Sequence, residues 1–184
     1  MNALIYVSPS ILHFITHDFF CPAAYSSDNL ESNDNPLIYS GLAFSGCNRL
    51  INDYSRKYSG DSELDDGLLT AFEVSGMNLH GSELVILQAC RTGKGTVLNG
   101  EGVFGLRRSF IHAGVNSIIM SMWDIPDKQS AYLLTAFYDK LLRGDNISDA
   151  LRDSALKLLH EGRQEGLGYH PMFWGGFILS GNPN

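Results

Sequence analysis

Three features of the sequence predict an α/β fold built on a largely parallel sheet. Two short segments read as strands buried on both faces: 84–89, apolar but for Gln88, and 116–122, with Ile118-Ile119-Met120 at its centre. The first runs straight into the glycine-rich segment Cys90-Arg91-Thr92-Gly93-Lys94-Gly95. Segments with helical spacing alternate with the strands, the pattern that lays helices on both faces of one sheet. The 184 residues, 44% apolar and 18% charged, suit one core, and a single domain is expected over 1–184.

The elements follow in order. Residues 3–7 form a short apolar run with strand preference, and 11–16 a β-branched and aromatic strand that stops at His17-Asp18. Residues 21–36, rich in Ser, Asn, Asp and Pro, and the polar stretch 46–63 read as loops. Residues 68–74 read as a short helix, with Thr70 as N-cap and Glu73 completing a capping box. In 102–114, Phe104, Leu106, Phe110 and Ile111 have roughly helical spacing, and Gly114 is placed to stop the helix. After the strand at 116–122 comes a loop over 123–127. An amphipathic helix follows, striped by Ala131, Leu134, Phe137, Tyr138, Leu141 and Leu142 and ending at Gly144. A second begins near Asn146 or Ser148 and reaches about His160, and 173–179 reads as the last strand.

Charge and cysteine usage narrow the function. Thirteen basic against twenty acidic residues give a net charge of −7, which disfavours nucleic acid as a partner. No apolar stretch approaches the roughly 20 residues of a membrane span, so no membrane partner is expected. The cysteines Cys21, Cys47 and Cys90 are odd in number and lack CxxC spacing, which suits a reducing, cytoplasmic location. No basic and apolar leader opens the chain, so no signal peptide is expected.

Reactive side chains stand at two strand ends: His17 after 11–16 and Cys90 after 84–89. On parallel strands both emerge at one edge of the sheet, where ligand chemistry gathers in such folds. A thiol becomes a thiolate near neutral pH when a base stands within hydrogen-bond reach. Position alone also fits a plainer reading, with Cys90 a small core residue and His17 a surface turn residue. His13 and His17, four apart, share a face of a strand or a helix, but no third ligand accompanies them, and no metal or cofactor is expected. Residues 91–96 do not make a phosphate loop: Gln88 and Gly95 occupy positions where that pattern needs Gly and Ser or Thr. Asp124 and Asp127 flank Pro126 and, by themselves, read as solvated turn carboxylates.

Leu-Val-Ile-Leu-Gln-Ala-Cys-Arg-Thr-Gly-Lys-Gly (84–95) resembles the nucleophile motif of the CHAT family of caspase-like proteins. Ile-Leu-His-Phe-Ile-Thr-His (11–17) resembles that family's histidine motif, and Asn35-Pro36-Leu37 with Ser40-Gly41-Leu42 the segment after it. Residues 66–71, 100–114, 121–127, 170–174 and 177–181 continue the pattern in chain order, so the resemblance covers nearly all of 11–182.

The resemblance implies a three-layer αβα sandwich with a mostly parallel central sheet, akin to caspases, metacaspases and separase. Family members usually carry a strand–helix unit upstream of the histidine strand, and often a helical-repeat or sensor region. Here about ten residues precede that strand, so a shortened domain, or part of a larger protein, is expected. The implied activity is a cysteine endopeptidase acting on a protein substrate, with Cys90 as nucleophile and His17 as general base. Backbone N–H groups at Cys90 and Asp18 would form the oxyanion hole. The 123–127 loop is similar to the separase loop that holds a basic residue, which makes Asp124 or Asp127 the partner of a substrate arginine. Asp18 stands where the family has Gly. The alternative is an inactive protease-like scaffold or interaction module.

Overall fold

The computed structural model describes residues 8–20, 35–47, 66–89, 101–164 and 170–183. The first strand, β1 (Ile11–Phe20), leads to a 3-10 turn at Pro36–Tyr39 and to β2 (Ser40–Ala43). Next come β3 (Leu68–Thr70), helix α1 (Ala71–Ser75), β4 (Leu84–Ala89), α2 (Glu101–His112) and β5 (Ser117–Ser121). Two long helices, α3 (Asp127–Leu141) and α4 (Ile147–Gln164), precede a short turn of helix, α5 (Pro171–Trp174), and β6 (Phe177–Gly181). The expected strand at 3–7 lies outside the described residues.

The sheet order is β3-β2-β1-β4-β5-β6. Its centre, β1-β4-β5, is parallel, while β2, β3 and β6 add antiparallel strands at the flanks. The central strand β1 changes partner part-way: Ile11 to Thr16 pair with Leu84 to Ala89 of β4, and His17 to Phe20 pair with Ala43 to Ser40 of β2.

Helices cover both faces. On one, Ala71 and Val74 of α1 and Leu106 and Phe110 of α2 pack on Leu42, Val85, Leu87, Ile118 and Met120. On the other, Leu133, Leu134 and Phe137 of α3 and Ala150 and Leu151 of α4 pack on Leu84, Ile86, Ile119 and Phe177. Val85 and Leu87 thus alternate with Leu84 and Ile86 between the layers, and every residue of β5 is buried. This two-faced burial is why the strand centres, 84–87 and 118–120, read as unbroken apolar runs. The arrangement is the expected αβα sandwich.

Several boundaries differ from the sequence reading, each for a local reason. The helix expected over 68–74 is two elements. Leu68, Leu69 and Thr70 pair with Ala43, Leu42 and Gly41, and only from Ala71 does the backbone turn helical. Thr70 is the hinge. Its extended backbone (φ −73°, ψ 155°) ends the strand while its side chain caps Glu73 N, and the Glu73 carboxylate accepts from Thr70 N at 2.7 Å. Strand β1 does not stop at His17-Asp18 but continues to Phe20, because β2 supplies a ladder there. Phe173 and Trp174 belong to α5 rather than the last strand: Pro171 fits the first helical turn and His170 Nδ1 caps Met172 N at 3.1 Å. Asp127 opens α3 instead of lying in the preceding loop. Gly114 (φ +104°) ends α2 as expected, and a side chain there would collide with the His80 ring.

Candidate active site

The parallel centre of the sheet brings the carboxyl ends of β4 and β5, and the point where β1 leaves β4, to one edge. Because β6 is antiparallel to β5, its incoming segment with α5 reaches the same edge. Four sequence-predicted regions therefore converge: the histidine strand, the cysteine strand, the 123–127 segment and the 170–174 segment.

Strand alternation decides which side chains share a face. Phe14 packs against the Phe110 ring of α2, with centroids 5.7 Å apart, whereas His13 faces Tyr138 of α3. His17, an even number of residues from His13, lies on the α3 side and is exposed. The same parity places Gln88 with Leu84 and Ile86 on that side of β4. Thr16 stands opposite Ala89, where the described part of β4 ends. Cys90, the next residue, lies outside the described residues. His17 itself is in register with Ala43 of β2. The Thr16 hydroxyl donates to the Ala43 carbonyl and so pins β1 to β2 beside it. Asp18, half-buried and paired with Leu42, projects by alternation to the face opposite His17.

The segment after β5 is braced from the β6 side. Met122 N donates to the Gly176 carbonyl at 2.7 Å, and Trp123 Nε1 to the Met172 carbonyl at 3.0 Å. Ile125 is buried between them and α3, with Gly176 closing against it. This fixes the backbone while Asp124 and Asp127 remain exposed. Asp124 follows the braced tryptophan. Asp127 sits in the first turn of α3, where a carboxylate complements the helix dipole.

His13 and His17 do share a face, as their spacing predicts for a strand, but they do different things. Tyr138 Oη and His13 Nδ1 are 3.1 Å apart, with rings tilted at 41°. Burial pushes the His13 pKa below the ordinary histidine value, against a smaller upward pull from the Gln88 side chain. His13 Nε2 is buried without a hydrogen-bond partner. Burial also raises the Tyr138 pKa. The sequence reading placed Tyr138 only in an apolar stripe. Its signal was the hydroxyl, since a tyrosine on a buried helix face needs a polar partner. Among the described residues, no group of three His, Cys, Asp or Glu side chains is arranged to hold a metal ion. No described helix is long and apolar enough to cross a membrane.

Comparison with known proteins agrees with this architecture. Tetratricopeptide repeat protein 28 of Homo sapiens is 34% identical over 119 residues, covering 65% of this chain and 5% of that protein. Its Mus musculus counterpart is 31% identical over 115 residues, 62% of this chain and 4% of the relative. The chain thus corresponds to a small fraction of the relatives it matches. The CHAT domain family, which is associated with a cysteine-peptidase-like fold, matches residues 1–182. With its histidine strand paired in parallel to its cysteine strand between two helical layers, the chain belongs to the CHAT domain family.

Proposed function

We propose that this domain is a cysteine endopeptidase with a Cys90–His17 dyad. One observation carries the reading: the β1–β4 ladder brings Thr16 opposite Ala89, and each dyad residue stands one position further along in sequence. The Cys90 thiolate attacks the scissile carbonyl carbon, and backbone N–H groups at Cys90 and Asp18 receive the oxyanion. The His17 imidazolium protonates the leaving amine, and the C–N bond breaks to leave a thioester on Cys90. A water molecule, deprotonated by His17, attacks the thioester and releases the acid. None of these steps calls on a cofactor.

Substrate choice is assigned to the braced segment after β5. Asp124 or Asp127 pairs with a basic residue before the scissile bond, a charge-assisted contact of about 1.5–3 kcal/mol when well formed. The substrate is a protein. The names of the relatives support a helical-repeat region working beside the domain to present it.

The test is hydrolysis of a fluorogenic peptide library varied at the residue before the scissile bond. Turnover is expected to vanish in Cys90→Ala and in His17→Ala. Asp124→Asn or Asp127→Asn is expected to erase an Arg preference by roughly ten- to a hundredfold in kcat/KM. Equal hydrolysis of Arg, Met and Leu peptides removes the carboxylate role. No turnover by a folded chain, alone or with a helical-repeat partner added, assigns the domain instead to the protease-like interaction modules.

A further inference from the structure

The polar cluster behind the site joins the elements on which the proposed site depends. His13 is on β1, four residues before His17; Gln88 is on β4, two residues before Cys90. Tyr138 is on α3, whose first residue is Asp127. The Tyr138 ring is held by Phe137, at 5.5 Å and 64° between rings, and Phe137 is fully buried among Leu84, Ile86 and Ile119. The hydroxyl is thus presented to His13 from a rigid helix. On the strand side, Gln88 of β4 shares this face of the sheet, and the buried His13 Nε2 has no hydrogen-bond partner. A buried ring nitrogen without a partner is costly, and a neighbouring amide can satisfy it by a small side-chain rotation.

We propose that His13, bracketed between Tyr138 of α3 and the neighbouring strand β4, is a positioning residue that sets the relative height of the strand ends carrying His17 and Cys90. The reading rests on the dyad proposed above. A strand shifted along its neighbour by a fraction of a residue moves a thiol out of reach of its base. The His13–Tyr138 hydrogen bond, made to a helix whose Phe137 packs on Leu84 and Ile86 of β4, opposes that slide directionally, which apolar packing alone does not. The bracket also ties α3 to the same frame, so dyad and Asp127 are held to a common reference.

The experiment uses a chain carrying Cys21→Ser and Cys47→Ser, which leaves Cys90 as the sole thiol. The rate of Cys90 alkylation by iodoacetamide is followed against pH, alongside peptide hydrolysis. In the parent, a thiolate present well below the ordinary cysteine range and lost in His17→Ala is the dyad signature. His13→Phe and Tyr138→Phe are expected to move that midpoint upward and to lower kcat about ten- to a hundredfold, with KM nearly unchanged. His13→Gln, which keeps a hydrogen-bonding side chain, is expected to restore most of both. Circular dichroism below the melting transition confirms that the compared chains are folded. A dyad signature that folded His13→Phe and Tyr138→Phe chains both retain overturns the bracket alone. An ordinary Cys90 titration in the parent, indifferent to His17→Ala, overturns the dyad and the bracket's role with it.

Discussion

Thr70 concentrates two jobs in one residue. Its backbone completes the β3 ladder opposite Gly41, and its hydroxyl and N–H are both engaged with Glu73. Thr70→Ala removes one half of the capping box and is expected to cost about 1 kcal/mol, read as a lowered urea midpoint with unchanged m-value. The Thr70–Glu73 pair was legible in the sequence because capping depends on residue type and spacing alone. The strand before it was not. Leu68, Leu69 and Thr70 carry no pattern that separates strand from helix, and their state is set by Ala43, Leu42 and Gly41, which are remote in sequence. His13 shows the same limit at a side chain: its spacing from His17 gave the shared face, but Tyr138, 125 residues away, gives its role.

At the scale of elements, the chain places chemistry by bracing loops against one another. The segment after β5 is bonded through Met122 and Trp123 to the approach to β6, and Gly176 is the point of closest contact. A methyl group on Gly176 would run into Ile125 and stand 3.0 Å from Trp123 Nε1. Gly176→Ala is therefore expected to destabilise the fold by roughly 1–3 kcal/mol and to shift the tryptophan emission spectrum, both measured in a urea titration. The long helices were the most legible elements, because α3 and α4 bury regular stripes, with Leu134 and Phe137 of the expected α3 stripe buried beside Leu133, although Ala131 and Leu142 of that stripe are exposed. Asn146, expected near the start of α4, caps it by accepting from Asp149 N at 2.8 Å. The shortest elements, α5 and β3, were misread, since three or four residues hold too little periodicity to outweigh tertiary contacts.

For the molecule as a whole, the three-layer architecture was legible because the centres of both strands, 84–87 and 118–120, are apolar without interruption, which suits a sheet covered on both faces. The reversal at β6 was not, since a strand's direction is not written in its composition. Global stability is expected to carry a pH signature from His13. Its pKa is lowered in the folded chain by burial, with Gln88 opposing, so the unfolded chain binds the proton more readily. That contribution to stability is complete above the ordinary value of about 6.5 and is lost as pH falls through the folded value. His13→Phe is expected to flatten the decline in urea-unfolding free energy below about pH 6.5, relative to the parent. An equally steep decline in the variant refutes this source. The divided pairing of β1 has a further consequence, for the order of assembly. Its C-terminal half pairs with β2, about twenty residues later in the chain, whereas its N-terminal half must wait for β4, about seventy residues later. Synthesis from the N-terminus therefore delivers the histidine strand and its β2 partner before the cysteine strand can dock. A nascent chain carries no assembled dyad, and the proposed proteolytic capacity waits for the β1–β4 ladder, with β5 and β6 still to follow in the chain.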